Sequence, residues 1–114
     1  MGILGNEKVT IGNYFHSGTG CQIITSSHNY EENSIPYDNT FIDKEVEIGD
    51  FVWIGNNVII LDGVKIGEGA ITQAGSVVCN DIPDLAIAGG HPSVAFKFRD
   101  KKHFYSIKEK GGYH

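Results

Sequence analysis

The sequence is short of proline, with 3 residues in 114, and it has only 2 cysteines and 1 tryptophan. Cys21 and Cys79 are too few and too far apart for a disulfide scaffold, and no CxxC pair suggests a metal knuckle. Basic charge is scarce too. The 9 Lys and Arg stand against 14 Asp and Glu, giving a net charge of −5 and a pI near 5.4. That balance argues against nucleic acid as the main partner. No apolar run approaches a membrane span, and no basic stretch followed by an apolar one opens the chain; a cytoplasmic protein is the expectation. One domain is the default at this length. Glycine, in contrast, is abundant, with 15 residues and no collagen spacing. Many tight turns are therefore expected.

A six-residue beat runs through the middle of the chain. Stepping from Ile48 gives Ile54, Ile60, Ile66, Thr72 and Val78, all β-branched. Four residues after each of these comes a second column: Val52, Val58, Val64, Ala70, Ser76 and Ile82. Gly49, Gly55 and Gly67 follow the first column directly. The period fits neither a helix nor a flat strand. It fits a short strand plus a turn, three of which close a triangular coil, and stacked coils bury the two columns. Ile42 and Val46 join the same register, and a weaker beat runs through Val9, Ile11, Phe15, Cys21, Ile23 and Ser27. About eleven units make roughly three to four coils, near the minimum for a stable stack. The two halves of the beat differ in phase by one residue. The expectation is therefore a β-helix over residues 1–80 with an inserted loop at 29–41. Residues 81–114 should hold a turn, an extended segment and a short helix from about Asp100, ended by Gly111 and Gly112.

The stretches "SSHNY", "IGDFVWIGNNVIILDGVKIGEGAITQAGSVV", "DIP" and "AGGHP" resemble the hexapeptide-repeat acyltransferases, in particular the branch of sugar O-acetyltransferases and xenobiotic acetyltransferases. The resemblance covers Ile23 to about Arg99. It implies an all-β, left-handed parallel β-helix, a homotrimer, and acetyl-CoA as donor. It also implies that the loop beside the catalytic histidine reaches toward a neighbouring subunit and walls the acceptor pocket, so that Asn29 and Tyr30 meet the acceptor.

The chemistry needs a base. A hydroxyl attacks a thioester poorly unless its proton is taken, and histidine is the usual acceptor near neutral pH. His28, at the foot of the loop, matches the family's catalytic histidine. Trp53 falls away from both inward columns and matches the "VWIG" tryptophan, a wall of the site touching pantetheine or acceptor. By the same resemblance, Asn56 and Ala74 stand at positions that contact coenzyme A in the family. Cys79 and Asn80 replace a usual Thr-Lys pair, and Val94 replaces an arginine of some members. Lys97 and Arg99 remain, and either one can pair a phosphate of the donor; the competing reading is a solvated basic tail.

His16, twelve residues before His28, is expected on another face of the coil. His91 reads as a turn residue, and His103 and His114 as solvated tail. Cys21, in an inward column, reads as an inert buried thiol, and Cys79 has no histidine neighbour in sequence, so covalent catalysis is not expected.

The implied function is acetyl transfer from acetyl-CoA to a hydroxyl of a small molecule, with a sugar as acceptor, and the tail resembles enzymes of surface-polysaccharide synthesis. Only 27 residues precede His28, so an upstream acceptor-side residue of the family is expected to have no counterpart. Two rivals stand beside this reading. One is a non-catalytic trimeric scaffold. The other is a zinc hydratase of the γ-carbonic anhydrase kind, which needs three histidines around the metal, two of them close in sequence; no such pair lies near His28, and no metal ligands are assigned.

Overall fold

A computed structural model describes residues 1–113. The chain builds a left-handed parallel β-helix with three flat faces. It begins with β1 (Gly2–Leu4), then runs one full turn as β2 (Val9–Ile11), β3 (His16–Ser17) and β4 (Gln22–Ile24). It leaves the prism through β5 (Ser26–His28) and returns through β6 (Phe41–Asp43), an antiparallel pair. Two further turns follow: β7 (Val46–Ile48), β8 (Trp53–Ile54) and β9 (Ile59–Ile60), then β10 (Lys65–Ile66), β11 (Ile71–Thr72) and β12 (Val77–Val78). β13 (Ala86–Gly90) adds a last coil strand, β14 (Ser93–Phe98) folds back antiparallel on it, and the helix α1 (Lys101–Glu109) closes the chain.

The two columns of the beat point inward. Ile54, Ile60, Val52, Val58, Ala70 and Val78 are fully buried, and Thr72 and Ser76 are almost so. Each valine or isoleucine contributes roughly 1.5–3 kcal/mol of burial. Parallel strands of neighbouring turns pair the backbone groups that such short strands cannot pair within themselves.

One corner of the prism carries Tyr14, Phe51 and Leu85 at φ 57°, 57° and 62°, with Gly69 at φ 70° in the same column. The aromatic rings of Tyr14 and Phe51 stack, with centroids 5.3 Å apart and planes nearly parallel. Gly69 serves two purposes. It takes the left-handed conformation at low cost, and it leaves room for α1. A Cβ at Gly69 would stand 2.7 Å from Phe104 Cε1 and 2.8 Å from Leu85 Cδ2. Phe104, the one buried side chain of the helix, fills that space. The adjacent Glu68 carboxylate accepts from Tyr105 Oη (3.2 Å) and Lys108 Nζ (2.5 Å). That pairing raises the Lys108 ammonium above its usual value. The Asp100 carboxylate caps the helix by accepting from the His103 N–H at 2.8 Å, as an acidic cap should.

The excursion from the prism is wider than the rhythm indicates. Coil partners lie 18 residues apart above it (Ile48 with Ile66, Trp53 with Ile71) but 37 apart across it (Ile11 with Ile48, His16 with Trp53). The excess is three beats plus one residue, where the phase alone suggests two plus one. Both leave the same phase. Residues 26–43 form a projecting arm, and the Lys44 N–H resumes the coil by donating to Thr25 O. Ser27 and Ile42, expected in the columns, instead face each other across the arm's ladder.

Candidate active site

His28 ends β5 on the arm, exposed and opposite Phe41. Its ring stacks on Tyr37 with centroids 3.8 Å apart and planes at 19°, and meets Phe41 at 5.0 Å and 36°. Beyond it the chain is pinned by hydrogen bonds. The Asp38 N–H donates to Asn29 O (3.0 Å), and the Asn29 N–H donates to Thr40 O (3.3 Å). The Asp38 carboxylate accepts from the Thr40 N–H (2.7 Å) and hydroxyl (2.5 Å). Those bonds, the hydroxyl first, hold the Asp38 carboxyl below its ordinary range. Asn29 Oδ1 accepts from the Glu31 N–H (3.1 Å), while Tyr30 is 69% exposed.

A second constellation lies on the face built by β3, β8, β11, β13 and β14. Strand register stacks its outward residues as His16, Trp53, Ile71, Ile87 and Lys97. Their neighbours Ile54, Thr72 and Ala88 point into the core. A groove of about 760 Å³ runs beside this column, lined by His16, Trp53, Lys97, Arg99, His103 and Phe104 among others. Among the described residues neither Lys97 nor Arg99 makes an ion pair. The Arg99 guanidinium lies over the Phe104 ring at 5.4 Å, and its Nε is buried without a partner. Burial lowers the Arg99 guanidinium from its ordinary value.

The structure brings Trp53, Lys97 and Arg99 together and leaves the other expected residues elsewhere. Asn56 and Ala74 occupy the corner at the far end of the same face. There Asn56 Oδ1 accepts from the Thr19 N–H (2.9 Å), and the Ala74 backbone abuts Gly55. Cys79 and Asn80 follow β12 on another face. Val94 is exposed on β14, and His91 is exposed in the turn before it. His114 lies outside the described residues. Cys21 is buried, and its thiol donates to Gly55 O at 3.0 Å. His28 does not line the groove of its own chain. Among the described residues no group of three His, Cys, Asp or Glu is placed to hold a metal ion.

Two neighbours of the site were not legible in sequence. Register sets His16 beside Trp53, which requires the true length of the arm. Tyr37 reaches His28 across a loop with no period.

The bacterial transferase hexapeptide family model, six repeats, matches residues 45–80. The galactoside O-acetyltransferase of Lactococcus lactis is 33% identical over 90 residues, covering 79% of this chain and 43% of that protein. Among solved structures, a hexapeptide-repeat acetyltransferase of Vibrio cholerae complexed with acetyl coenzyme A superposes with a TM-score of 0.72. It shares 36% identity, over 81% of this chain and 50% of the other. A galactoside acetyltransferase in complex with coenzyme A gives 0.80 at 27% identity, over 90% of this chain and 50% of the other. The chain spans about half the length, or less, of the curated relatives it matches. With its repeat columns buried, the chain carries the bacterial transferase hexapeptide repeat over residues 45–80 and, over 81% of its length, is similar to a hexapeptide-repeat acetyltransferase.

Proposed function

We propose that the protein transfers an acetyl group from acetyl-CoA to a hydroxyl of a sugar or a related small molecule. The observation that carries this is the outward column on one face. It has an exposed tryptophan, two aliphatic side chains and an unpaired cation in register. Strand neighbours are about 4.8 Å apart, so Trp53 and Lys97 stand about 14 Å apart along the face. The pantetheine arm of the donor has about as many bonds as four extended residues, again about 14 Å. The groove therefore fits the donor: Lys97 and Arg99 for phosphate, Ile87 along the pantetheine, and Trp53 at the reactive end. When bound, the donor supplies an acyl carbon attached to a good leaving thiolate.

The chain's own part is proton removal. His28 accepts the proton of the acceptor hydroxyl as its oxygen bonds to the acyl carbon and the carbon–sulfur bond breaks. Transfer is direct, within a ternary complex. Cys21 is buried against a carbonyl, and Cys79 Sγ lies 3.6 Å from Val77 O; among the described residues neither thiol hydrogen-bonds to a base. Because His28 and the groove lie apart in one chain, we read the working unit as a homotrimer in which one copy's arm completes another's groove. The exposed rings of Tyr30, Phe41 and Trp53 support such burial. The relatives that act on galactosides support a sugar acceptor.

The test is thiol release from acetyl-CoA against a panel of sugars, amino sugars and chloramphenicol-like alcohols. Turnover on an alcohol that disappears in His28→Ala is expected. No turnover on any hydroxyl, or acetylation of amines alone, would overturn the reading.

A further inference from the structure

A general base must be held in a fixed plane, which a hydrogen bond to its second nitrogen often provides. Among the described residues the His28 ring makes no hydrogen bond. Its contacts are the rings of Tyr37 and Phe41. We infer that Tyr37 is the positioning residue of His28, an inference that rests on reading His28 as the base.

Three features carry it. The contact is face to face, 3.8 Å between centroids and 19° between planes, so it fixes the orientation of the imidazole. Imidazole nitrogens donate and accept in the plane of the ring. A neighbour on the ring's face therefore leaves its working edge open, whereas a hydrogen-bonding neighbour would occupy one nitrogen. Finally, Tyr37 is itself held. The next residue, Asp38, is the most enclosed of the arm, at 9% exposure, and it bonds to Asn29 on one limb and Thr40 on the other. The hydrogen-bonded clasp thus begins immediately after His28 and ends immediately before Phe41, with Tyr37 inside it. The remaining side chains of the tip show no such restraint, Ile35 being 94% exposed.

The aromatic ring, not the hydroxyl, does the positioning. Tyr37→Phe should keep kcat within about twofold. Tyr37→Leu should lower kcat about ten- to a hundredfold, the range in which a misplacement near 1 Å acts, with KM for acetyl-CoA little changed. Proton NMR gives a readout independent of activity. The His28 ring protons, assigned by their loss in His28→Ala, should be shifted upfield by the facing ring in the wild type and in Tyr37→Phe, and should move downfield in Tyr37→Leu. Because Tyr37 lies outside the prism, the thermal melt should be the same in all variants. Unshifted His28 ring protons in the wild type would overturn the inference, as would wild-type kcat in Tyr37→Leu or equal losses in Tyr37→Phe and Tyr37→Leu. Retention of turnover in His28→Ala would sink the base reading alone, leaving the stack to be judged by its ring shift.

Discussion

The prism and the arm turn their side chains in opposite directions. From Val46 to Val78 the inward columns are at most 3% exposed, and almost every residue in them is aliphatic. On the arm the large apolar side chains look outward: Tyr30 at 69%, Ile35 at 94%, Phe41 at 55%. Order there comes from polar groups, namely the clasp of Asn29, Asp38 and Thr40 and the bond from the Ser26 hydroxyl to Asp43. The prism is held by area removed from water, which is large and tolerant of small shifts. The arm is held by a few directional bonds, which specify geometry while contributing little net energy. A rigid body that carries a projecting, precisely bonded segment suits a reactive group better than the body itself does.

The largest effect should separate the two regions cleanly. His28→Ala should lower kcat by roughly 10²–10⁴-fold, the usual weight of general-base help. The melting curve should not move, since the residue is exposed. Ile60→Ala should do the reverse, costing about 2–5 kcal/mol for a large-to-small change in a packed core. Denaturant titration reads it directly, while Ile35→Ala should stay within about 0.5 kcal/mol. If Ile35→Ala destabilised the chain as much as Ile60→Ala, the contrast between prism and arm would be false.

The next effect sharpens the contrast within the prism's own face. Replacing Lys97 and Arg99 together by alanine should weaken coenzyme A binding by about tenfold or more, each charge-assisted contact being worth about 1.5–3 kcal/mol before screening. The loss should shrink at high salt. Calorimetry with unchanged affinity would move the phosphates off this groove.

Gly69→Ala should act on the same groove from behind. A methyl group there meets Phe104 and Leu85 and also sits at φ 70°. The left-handed conformation alone costs about 1 kcal/mol for alanine, and the helix must shift to make room. Reduced coenzyme A affinity with only a modest fall in melting temperature is expected. An unaltered groove, seen as wild-type affinity, would show that α1 does not set the position of Arg99.

How legible all this was follows from the same contrast. The prism repeats, so Ile48 to Val78 and Val52 to Ile82 revealed it by period alone. The helix was legible from Asp100 and Gly111, which carry local stop and start signals. The arm's size was not, because a period reports an insertion only to within whole beats, and residues 26–28 and 42–43 mimic the pattern they interrupt. With the arm mismeasured, the pairing of His16 with Trp53 could not be read. Tyr37 on His28 is a contact across an aperiodic loop, fixed by Asp38 and Thr40 rather than by any pattern of hydrophobicity. The positions drawn from resemblance, Asn56, Ala74, Cys79 and Asn80, do not line the groove that holds Lys97 and Arg99.

The smallest expected effect concerns the clasp itself. The Asp38 carboxyl is held below its ordinary value of 3.8, first by the Thr40 hydroxyl and then by the Thr40 N–H. Both groups donate to the ionised form. A folded value below the unfolded one means that the bonds favour the arm's order at every pH above the ordinary carboxylate range, and that this contribution fades as pH falls through the lowered value. The effect is confined to the arm, because no core side chain of the prism depends on it. The Thr40 amide proton reports it, since its shift follows the charge of the oxygen it donates to. Its titration midpoint should lie below 3.8, and Asp38→Asn, which keeps an oxygen to accept but no charge, should abolish the titration. The melt measured above pH 5 should be nearly unchanged in that variant. A Thr40 midpoint at or above 3.8 would mean that the carboxylate is not clasped, and that the limb carrying Tyr37 is held to His28 by stacking and by the backbone bonds between Asn29, Asp38 and Thr40.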